Sequence, residues 1–597
     1  VKIFASSIGL LFLSGILSLG FNATPLLTTA EYTKFSTRGS SELKLNPDGS
    51  PKEQSTGLEY DYITEYSYGI FESLNLIVPR VQGGGSSEDL GQDHGVYDFL
   101  RSKGVGPEQA RQFSENVPTY WGSQPILEAP AYIGISVFFF ALLALVFVKS
   151  PIRNALFIGI VFSLLLSWGK NLSFLTQFFI DYVPFYNKFR AVSSIQVILE
   201  CCFPILAALG VNWAFENIKE IDLKRFIKVA LSPIALFGLL LLSQGILSFS
   251  GPNDGYFQEI YGEELVTQII AARKSIYQAD LFRGIIICLI LVLSLVAFQF
   301  NKIKKQTLYF AVIGILLFDL LGISNRYISH DGFVSERFSK NAFQITEADR
   351  AILQDTSDFR VYEPQLGLTG ARTAYFHKTL GGYHGAKPRR FEELYQYYNT
   401  HQIEGVLDIL NVKYILFPEE QSGELKPMRN PNALGSAWFV KGIQWAKDPA
   451  AEMNALTTLN AKDTAVMNLA NQKSMSGLNG YDSAASIKLV SKSNDVLQYQ
   501  ANTKNTQLAV FSEIYYEKGW KAYIDNKETP ILKSNYLLRS IVIPAGSHTV
   551  KFEFKPESYY SNIIYAQICE WLSILLILIL IGTWVKEYNA KQKKELR

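Results

Sequence analysis

Eight stretches of the chain are made almost entirely of apolar residues, and polar segments of very different length separate them. Each stretch holds about 17–24 residues, which as a helix is long enough to cross a hydrocarbon core of roughly 30 Å. The pattern therefore predicts an α-helical polytopic membrane protein with about eight spans. The predicted spans are residues 3–20, 131–148, 154–170, 192–214, 227–248, 284–300, 307–323 and 561–584.

Every second polar segment along the chain is short and rich in Lys and Arg, so all of these basic segments lie on the same side of the membrane. The positive-inside rule assigns all of them to the cytoplasm, together with both termini of this chain. They are residues 149–153, 216–228, 301–306 and the basic tail 586–597. Residues 1–324 then form a transmembrane domain whose first loop, 21–130, lies on the outer side.

A large polar insert between the last two predicted spans also falls on the outer side. Residues 325–484 alternate helical stretches with short strands and predict a mixed α/β domain. Residues 485–556 show period-two alternation with turns every 8–12 residues, which is typical of a β-sandwich. Residues 557–597 return the chain through the last span to the cytoplasm. The predicted fold class is thus a membrane helical domain with a large external α+β region ending in a β-sandwich.

Composition narrows the possible chemistry. The net charge is +2 and no basic stripe is present, so the sequence does not favour nucleic-acid binding. All four cysteines lie inside predicted spans, so the external regions are expected to be held by packing without disulfides. The sequence predicts no metal site, and it leaves a divalent-metal cofactor open.

Three cations border one predicted external loop. Lys170 ends one span, and Lys188 and Arg190 precede the next, so we expect them to converge at the outer boundary. The one acidic residue nearby in sequence is Asp181. Arg binds phosphate bidentately and Lys binds it as a point charge, so the three would suit a lipid phosphate. The alternative is that each side chain simply anchors its helix in the head-group region.

An intramembrane polar stripe is predicted on the following span. Ser193, Gln196 and Glu200 are spaced i, i+3 and i+7, so one helical face would carry all three. At about 1.5 Å per residue, Glu200 would lie near mid-membrane if the helix continued from Arg190. Either Glu200 is protonated and bonded to Gln196 or a neighbouring helix, or it belongs to a polar groove or a proton site.

Several motifs resemble those of the bacterial YfhO membrane-protein family. They run in order from about residue 60 to 560, and the strongest are "YNKFR" (186–190) and the run of motifs within 515–556. The others are "SLNLIVPRVQGGGS" (73–86), "YWGSQP" (120–125), "LLSWGKN" (165–171), "LGGYHGAKPRRFEEL" (380–394) and "LNVKYIL" (410–416).

This resemblance implies a membrane glycosyltransferase of the GT-C type in the bacterial cytoplasmic membrane. Such an enzyme transfers a sugar from a polyprenyl-phosphate carrier to a glycopolymer or protein acceptor of the cell envelope. A carboxylate acts as base while cations stabilise the leaving lipid phosphate; Lys170, Lys188 and Arg190 lie in matching motifs. The external β-rich domain would bind acceptor, and Trp520, Tyr523 and Tyr536 would serve either as a stacking face or as core packing.

The catalytic base is harder to assign. The family's key carboxylate lies in the loop after the first span, and Val1 directly precedes an apolar run. We therefore expect this chain to be a fragment; the family's carboxylate is then missing with its upstream spans. Within the chain, the candidate bases are Asp61, Glu65, Asp89 and Asp93.

Two other functions compete with the transferase. A transporter or lipid flippase would use Glu200 to carry protons or substrate charge, but it should place polar groups at mid-membrane on several helices, and Glu200 is the one strong case. A non-catalytic scaffold of an envelope complex would have no need of convergent cations.

Overall fold

The computed structural model describes residues 2–52, 56–92, 94–328, 332–419, 422–475 and 477–595. These residues form two compact units. One unit contains residues 58–339, and the other combines residues 1–57 with residues 340–597. The boundaries predicted from the sequence pattern stay a prediction.

Helices dominate residues 1–340, whereas most of the strands follow residue 410. The α-helices are α1 (Lys2–Phe21), α2 (Ala23–Thr33), α3 (Tyr60–Ile63), α4 (Gly95–Ser102), α5 (Pro107–Ser114), α6 (Ile135–Phe147), α7 (Pro151–Ser167), α8 (Ser173–Tyr182), α9 (Val197–Asn217), α10 (Leu223–Ala230), α11 (Ser232–Ser243), α12 (Asp254–Tyr261), α13 (Glu263–Gln299), α14 (Lys305–Tyr327), α15 (Glu336–Lys340), α16 (Glu347–Leu353), α17 (Ala371–Phe376), α18 (Arg389–His401), α19 (Gly405–Ile409), α20 (Pro449–Ala455) and α21 (Glu557–Glu595).

Six helical segments in the described chain are long and apolar enough to cross a membrane. A seventh results if α7 and the segment Gly169–Tyr182, bent by 108°, are one broken span. The molecule is therefore a membrane protein with several apolar helices. The six segments are Phe4–Phe21, Val192–Glu220, Leu223–Ser243, Glu263–Gln299, Lys305–Tyr327 and Glu557–Ala590. The count of eight stays a prediction, since α6 has only 13 residues.

Polar contacts and glycines move several helix ends away from the apolar boundaries. The helix predicted at 154–170 ends at Ser167, and Gly169 follows with a positive φ of 47°. The helix predicted at 131–148 begins only at Ile135, where the Asp319 carboxylate accepts hydrogen bonds from the backbone N–H of Ser136 at 2.9 Å and from its hydroxyl at 2.6 Å. Burial of apolar residues sets the extent of a helix only where no such contact competes.

In the unit of residues 58–339, α6 and α9 approach each other closely. A Cβ added at Gly210 of α9 would lie 1.9 Å from the carbonyl oxygen of Phe140, so only glycine fits there. The rings of Phe147 and Trp213 stack at a centroid distance of 4.4 Å. Phe140 of α6 and Trp213 of α9 belong to a large apolar core to which α11, α13 and α14 also contribute.

Buried ion pairs connect the polar loop that precedes α6 to the long helix α13. Arg273 is fully buried; it binds the Asp254 carboxylate with two 2.8 Å hydrogen bonds and also donates to the carbonyl of Thr119 at 2.9 Å. Arg80 binds Asp280 of the same helix through two 2.9 Å hydrogen bonds. Buried charges persist when they are paired and hydrogen-bonded in this way.

In the other unit, α1 and α2 pack along α21. The closest approach is at Gly20, where an added Cβ would lie 2.2 Å from the sulfur of Cys569. The apolar windows of α1 and α21 have no buried residues. A hydrogen bond of 2.8 Å from the Ser558 hydroxyl to the Glu31 carboxylate joins α2 to the first turn of α21.

The strands of this unit form four sheets. The sheet orders are β1-β2-β3, β5-β6, β11-β10-β14-β8-β7 and β12-β13-β9-β4. The strands are β1 (Arg360–Tyr362), β2 (Val412–Pro418), β3 (Leu425–Arg429), β4 (Ala437–Phe439), β5 (Gly442–Ala446), β6 (Thr464–Asn468), β7 (Ser486–Lys492), β8 (Val496–Thr503), β9 (Gln507–Ile514), β10 (Trp520–Ile524), β11 (Lys527–Thr529), β12 (Leu532–Ser534), β13 (Leu538–Ile543) and β14 (Gly546–Phe554).

The five-stranded and four-stranded sheets share one apolar core. Tyr499 and Phe552 of the larger sheet meet Phe511 of the smaller one, with each ring centroid 4.9 Å from that of Phe511. Phe439 of β4, which precedes the predicted strand region, belongs to the same core. The larger sheet lies entirely within residues 485–556, but the smaller one also recruits this earlier strand.

The close contact of α6 and α9 predicts a stability effect at Gly210. Gly210→Ala should force the helices apart and destabilise the fold by about 1–3 kcal/mol, the usual cost of overpacking. Gly314→Ala in α14 is the matched control, because an added Cβ there meets nothing within 4 Å. Thermal unfolding of the detergent-solubilised chain measures both variants. Equal unfolding temperatures for the two variants would contradict the contact.

Candidate functional site

Residues 58–73, here called the strap segment, hold the end of α7 and the turn that follows it. The backbone N–H of Tyr68 donates to the carbonyl of Ser167 at 2.9 Å, and the backbone N–H of Lys170 donates to the hydroxyl of Ser67 at 3.0 Å. The Trp168 indole donates to the hydroxyl of Ser73 at 2.8 Å. Gly169 is required at this crossing, since an added Cβ would lie 2.1 Å from the Ser67 hydroxyl oxygen.

The strap segment also holds the stretch that leads into α9. The backbone N–H of Leu58 donates to the carbonyl of Asn187 at 2.9 Å. The N–H of Ala191 donates to the Ile63 carbonyl at 3.2 Å, and that of Ser193 donates to the Tyr66 carbonyl at 3.1 Å. Both sides of the loop that carries the predicted cations are therefore fixed on one segment.

A polar cavity of about 290 Å³ lies beside this crossing. Asp61 and Glu65 of the strap segment line it together with Lys170. The rest of its wall comes from Thr64, Gly122, Ser123, Gln124, Pro125, Pro252 and Asn253. Two candidate bases and one candidate phosphate-binding cation thus share a single cavity.

Arg190 belongs to the edge of this group. Its guanidinium lies 3.7 Å from the Glu65 carboxylate and donates a 2.8 Å hydrogen bond to the Tyr62 hydroxyl. It also lies over the rings of Tyr62 and Tyr66, at 4.9 and 5.4 Å from their centroids. Asp181 is the acidic residue nearest to the cations in sequence, but chain folding also brings Glu65 to Arg190 from a different loop.

The remaining candidates lie outside the cavity. Lys188 is half-buried in the 3₁₀ turn Tyr186–Lys188 and does not line it. Asp89 is exposed, and its carboxylate accepts a 2.8 Å hydrogen bond from the backbone N–H of Gly91. Asp93 lies outside the described residues.

Gln196 and Glu200 occupy different surroundings. Gln196 is buried and donates a 3.3 Å hydrogen bond to the hydroxyl of Ser167. Glu200 is exposed in the first turn of α9. Ala191 adopts a left-handed conformation with φ of 63°, and Val192–Gln196 form a 3₁₀ helix. No continuous helix therefore runs from Arg190 to Glu200, whereas the span predicted at 192–214 corresponds to the apolar segment Val192–Glu220; the depth of Glu200 in the membrane stays a prediction.

Glu72 is a buried carboxylate that sequence reasoning missed. It accepts hydrogen bonds from the N–H of Gly69 at 3.0 Å, the hydroxyl of Tyr120 at 2.7 Å and the amide of Gln124 at 2.8 Å. Burial raises the pKa of Glu72, although these hydrogen bonds oppose the shift. Because Gln124 lines the cavity, Glu72 fixes part of its wall. The signal available in the sequence was the "YWGSQP" motif (120–125), which supplies both side-chain donors.

One family comparison bears on this chain. Residues 454–565 match the family model described as bacterial membrane protein YfhO. The match supports the prediction that the chain is a member of the bacterial YfhO membrane-protein family. No curated protein and no solved structure matches the chain.

The YfhO match and the cavity involve different parts of the chain. Residues 454–565 contain β6 to β14 and the start of α21. The cavity, by contrast, lies within residues 61–253. The family match therefore gives no evidence about the cavity, and the cavity is a candidate site because of its own residues and contacts.

The buried environment of Glu72 predicts a pH-dependent stability. A carboxyl whose pKa is raised in the folded state loses stability as the pH rises through the unfolded value, about 4.3, toward the folded value. The apparent unfolding temperature of the parent chain relative to Glu72→Gln should therefore fall as the pH rises above about 4. Thermal scans in lipid nanodiscs measure it, with exposed Glu59→Gln as control. A difference that stays constant or rises with pH would contradict this environment.

Proposed function

We propose that the chain is a GT-C-type membrane glycosyltransferase that takes a sugar from a polyprenyl-phosphate carrier. The acceptor is a glycopolymer or protein of the cell envelope, at the outer face of the bacterial cytoplasmic membrane. The observation that carries this proposal is that Asp61, Glu65 and Lys170 line one cavity and Arg190 lies against Glu65. A carboxylate beside cations is what an inverting transfer from a lipid phosphate needs.

Asp61 is the better candidate for the base. Glu65 lies within ion-pair distance of Arg190, whereas Asp61 has no ion pair among the described residues. Asp61 is also exposed at the cavity, so an acceptor hydroxyl can reach it. In this mechanism Asp61 takes the proton of the acceptor hydroxyl while the hydroxyl oxygen attacks the anomeric carbon of the sugar. The bond between the anomeric carbon and the oxygen of the carrier phosphate breaks, and the lipid phosphate leaves.

Lys170 and Arg190 would stabilise the negative charge that develops on the leaving phosphate. Lys170 lies in the cavity with Asp61 and offers a mobile ammonium group. Arg190 donates to the Tyr62 hydroxyl, and its guanidinium lies 3.7 Å from the carboxylate of Glu65, which lines the cavity. Glu65 is thus a positioning residue, and Lys188 has no direct role in this scheme.

The wider architecture is part of the same proposal. Eight spans would result if α6 and the bent α7 segment both cross the membrane. The positive-inside pattern then directs residues 324–560 and the cavity loops to the outer face. The two sheets that share the core around Phe511 form the proposed β-sandwich of the acceptor-binding region.

The competing functions have less support from the geometry. A proton-carrying role for Glu200 would require a side chain facing the helix bundle, and Glu200 is exposed instead. A scaffold would not need carboxylates and a lysine gathered in one polar cavity.

Replacing the proposed base should abolish transfer. Asp61→Asn should lower the transfer rate by about 10²–10⁴-fold, the usual contribution of general base catalysis. Asp89→Asn is the matched control, because Asp89 is an exposed aspartate outside the cavity. Release of labelled sugar from polyprenyl-phosphate hexoses in proteoliposomes, with bacterial envelope material as acceptor, measures both. Equal loss in both variants, or no loss in Asp61→Asn, would contradict the assignment.

Neutralising the cations should affect the same reaction. Lys170→Gln combined with Arg190→Gln should reduce turnover by about 10²-fold or more, since the leaving phosphate loses its stabilising charges. Lys188→Gln should change turnover by less than about tenfold, because the proposed scheme gives Lys188 no contact with the leaving phosphate. The same proteoliposome assay compares them. Unchanged turnover in the double variant would refute the phosphate-binding role.

A further inference from the structure

A second and larger cavity lies in the unit that combines residues 1–57 and 340–597. Its volume is about 680 Å³. The end of α2 and the first turn of α21 form one side, through Tyr32, Phe35, Tyr559 and Tyr560. The opposite side comes from the two large sheets and the start of α18, through residues that include Arg389, Tyr515, Trp520 and Arg539.

Arg539 is a buried cation in this wall that forms no direct ion pair with a carboxylate among the described residues; its nearest electrostatic partner is Glu513. Its side chain lies over the Trp520 ring, 3.8 Å from the centroid, and its Nε donates to the Ile514 carbonyl at 2.8 Å. Its Nη1 has no hydrogen-bond partner among the described residues. Burial lowers the pKa of Arg539 to about 10. A buried guanidinium that lacks partners is costly unless a ligand supplies them.

The nearby carboxylates are already committed to other groups. Glu513 accepts from Lys492 at 2.7 Å and lies 3.4 Å from Arg360. Within the cavity wall, Glu42 pairs with Arg390. Glu393 accepts hydrogen bonds from Tyr536 at 2.5 Å and Lys52 at 3.0 Å.

Other charged residues of the wall include Lys34 and Glu31, whose carboxylate accepts a 2.8 Å hydrogen bond from the Ser558 hydroxyl. Asp495 also lines the cavity, and it accepts from the Ser493 hydroxyl at 2.9 Å.

Arg389 adds an unsatisfied donor, because its buried Nε has no partner among the described residues. Arg389 also donates to the carbonyls of Thr37 and Gly39, and it lies 3.9 Å from the Glu393 carboxylate. The wall therefore contains two guanidinium groups that each keep one buried N–H donor without a partner among the described residues.

The position of the cavity indicates where a ligand would come from. Its walls include Ser558, Tyr559 and Tyr560, at the start of a helix whose following window is apolar and wholly unburied. On the α2 side, Leu26 and Leu27 are about half exposed. An apolar surface thus continues from the cavity along α1, α2 and α21, as hydrocarbon chains require.

We propose that this cavity binds the phosphate head group of an anionic membrane lipid, with Arg539 and Arg389 as phosphate donors. The wall contains Tyr32, Tyr559 and Tyr560, which suit a cavity at the membrane interface, because amphipathic rings are stable at the boundary between head groups and hydrocarbon. The lipid chains lie along the exposed apolar faces of α2 and α21. This inference concerns binding and does not depend on transferase activity.

Lipid retention tests the proposal directly. The full chain is purified in nanodiscs of phosphatidylcholine with a minor fraction of phosphatidylglycerol, then transferred to detergent, and bound lipid is counted by native mass spectrometry. The parent chain should retain phosphatidylglycerol about tenfold more than Arg539→Gln does, since a charge-assisted hydrogen bond is worth about one such factor. Lys527→Gln, an exposed charge loss outside the cavity, should match the parent chain.

A second variant and a soluble probe complete the design. Thr28→Trp places a bulky ring in the cavity wall on α2 and leaves Arg539 itself unchanged, so it should also reduce retention even if Arg539→Gln folds poorly. Equal retention by the parent chain and Thr28→Trp would overturn the proposal. Inorganic phosphate or glycerol 3-phosphate should not displace the lipid at millimolar concentration. Displacement by either would mean that the site takes soluble phosphate compounds, and it would overturn the lipid assignment.

Discussion

The candidate active site depends on the hydrogen bonds between the strap segment and the two sides of the loop that carries Lys170 and Arg190. The turns between α7 and α8 and between α8 and α9 leave backbone N–H and C=O groups without helical partners, and the strap segment supplies partners for some of them. Those hydrogen bonds, and the close packing of Gly169 against Ser67, offset the conformational entropy that is lost when these turns become ordered. Asp61 and Glu65 reach Lys170 because they are on the segment that makes these bonds.

Buried polar pairs stabilise the surroundings of this site. Glu72 gathers Tyr120 and Gln124 beside the cavity, and Arg273 and Arg80 connect the preceding loop to α13. Each removes a charge from water, so each requires the near-complete pairing that is observed. Such pairs restrict the loop to one arrangement, which holds the backbone around the cavity in place.

The hydrophobic pattern predicted the long apolar helices and most of the strands of the two large sheets, because burial of apolar side chains sets their periodicity; it did not predict most of the short helices of the loops and of the external region. It failed where a local contact decided the outcome. Ala191 in a left-handed conformation separates Arg190 from the helix that contains Glu200, and β4 was too short to show alternation. The pairing of Glu65 with Arg190 could not be predicted either, since it depends on which distant backbone groups bond to each other.

The central claim is that the strap segment places Asp61 next to Lys170. Cysteines at both positions, in a chain whose native cysteines are replaced by serine or alanine, can be tested with a short bifunctional thiol reagent in native membranes. The account predicts efficient cross-linking between Asp61→Cys and Lys170→Cys, and little between Asp89→Cys and Lys170→Cys. No cross-link in the first pair, with both thiols shown to be reactive, would contradict it.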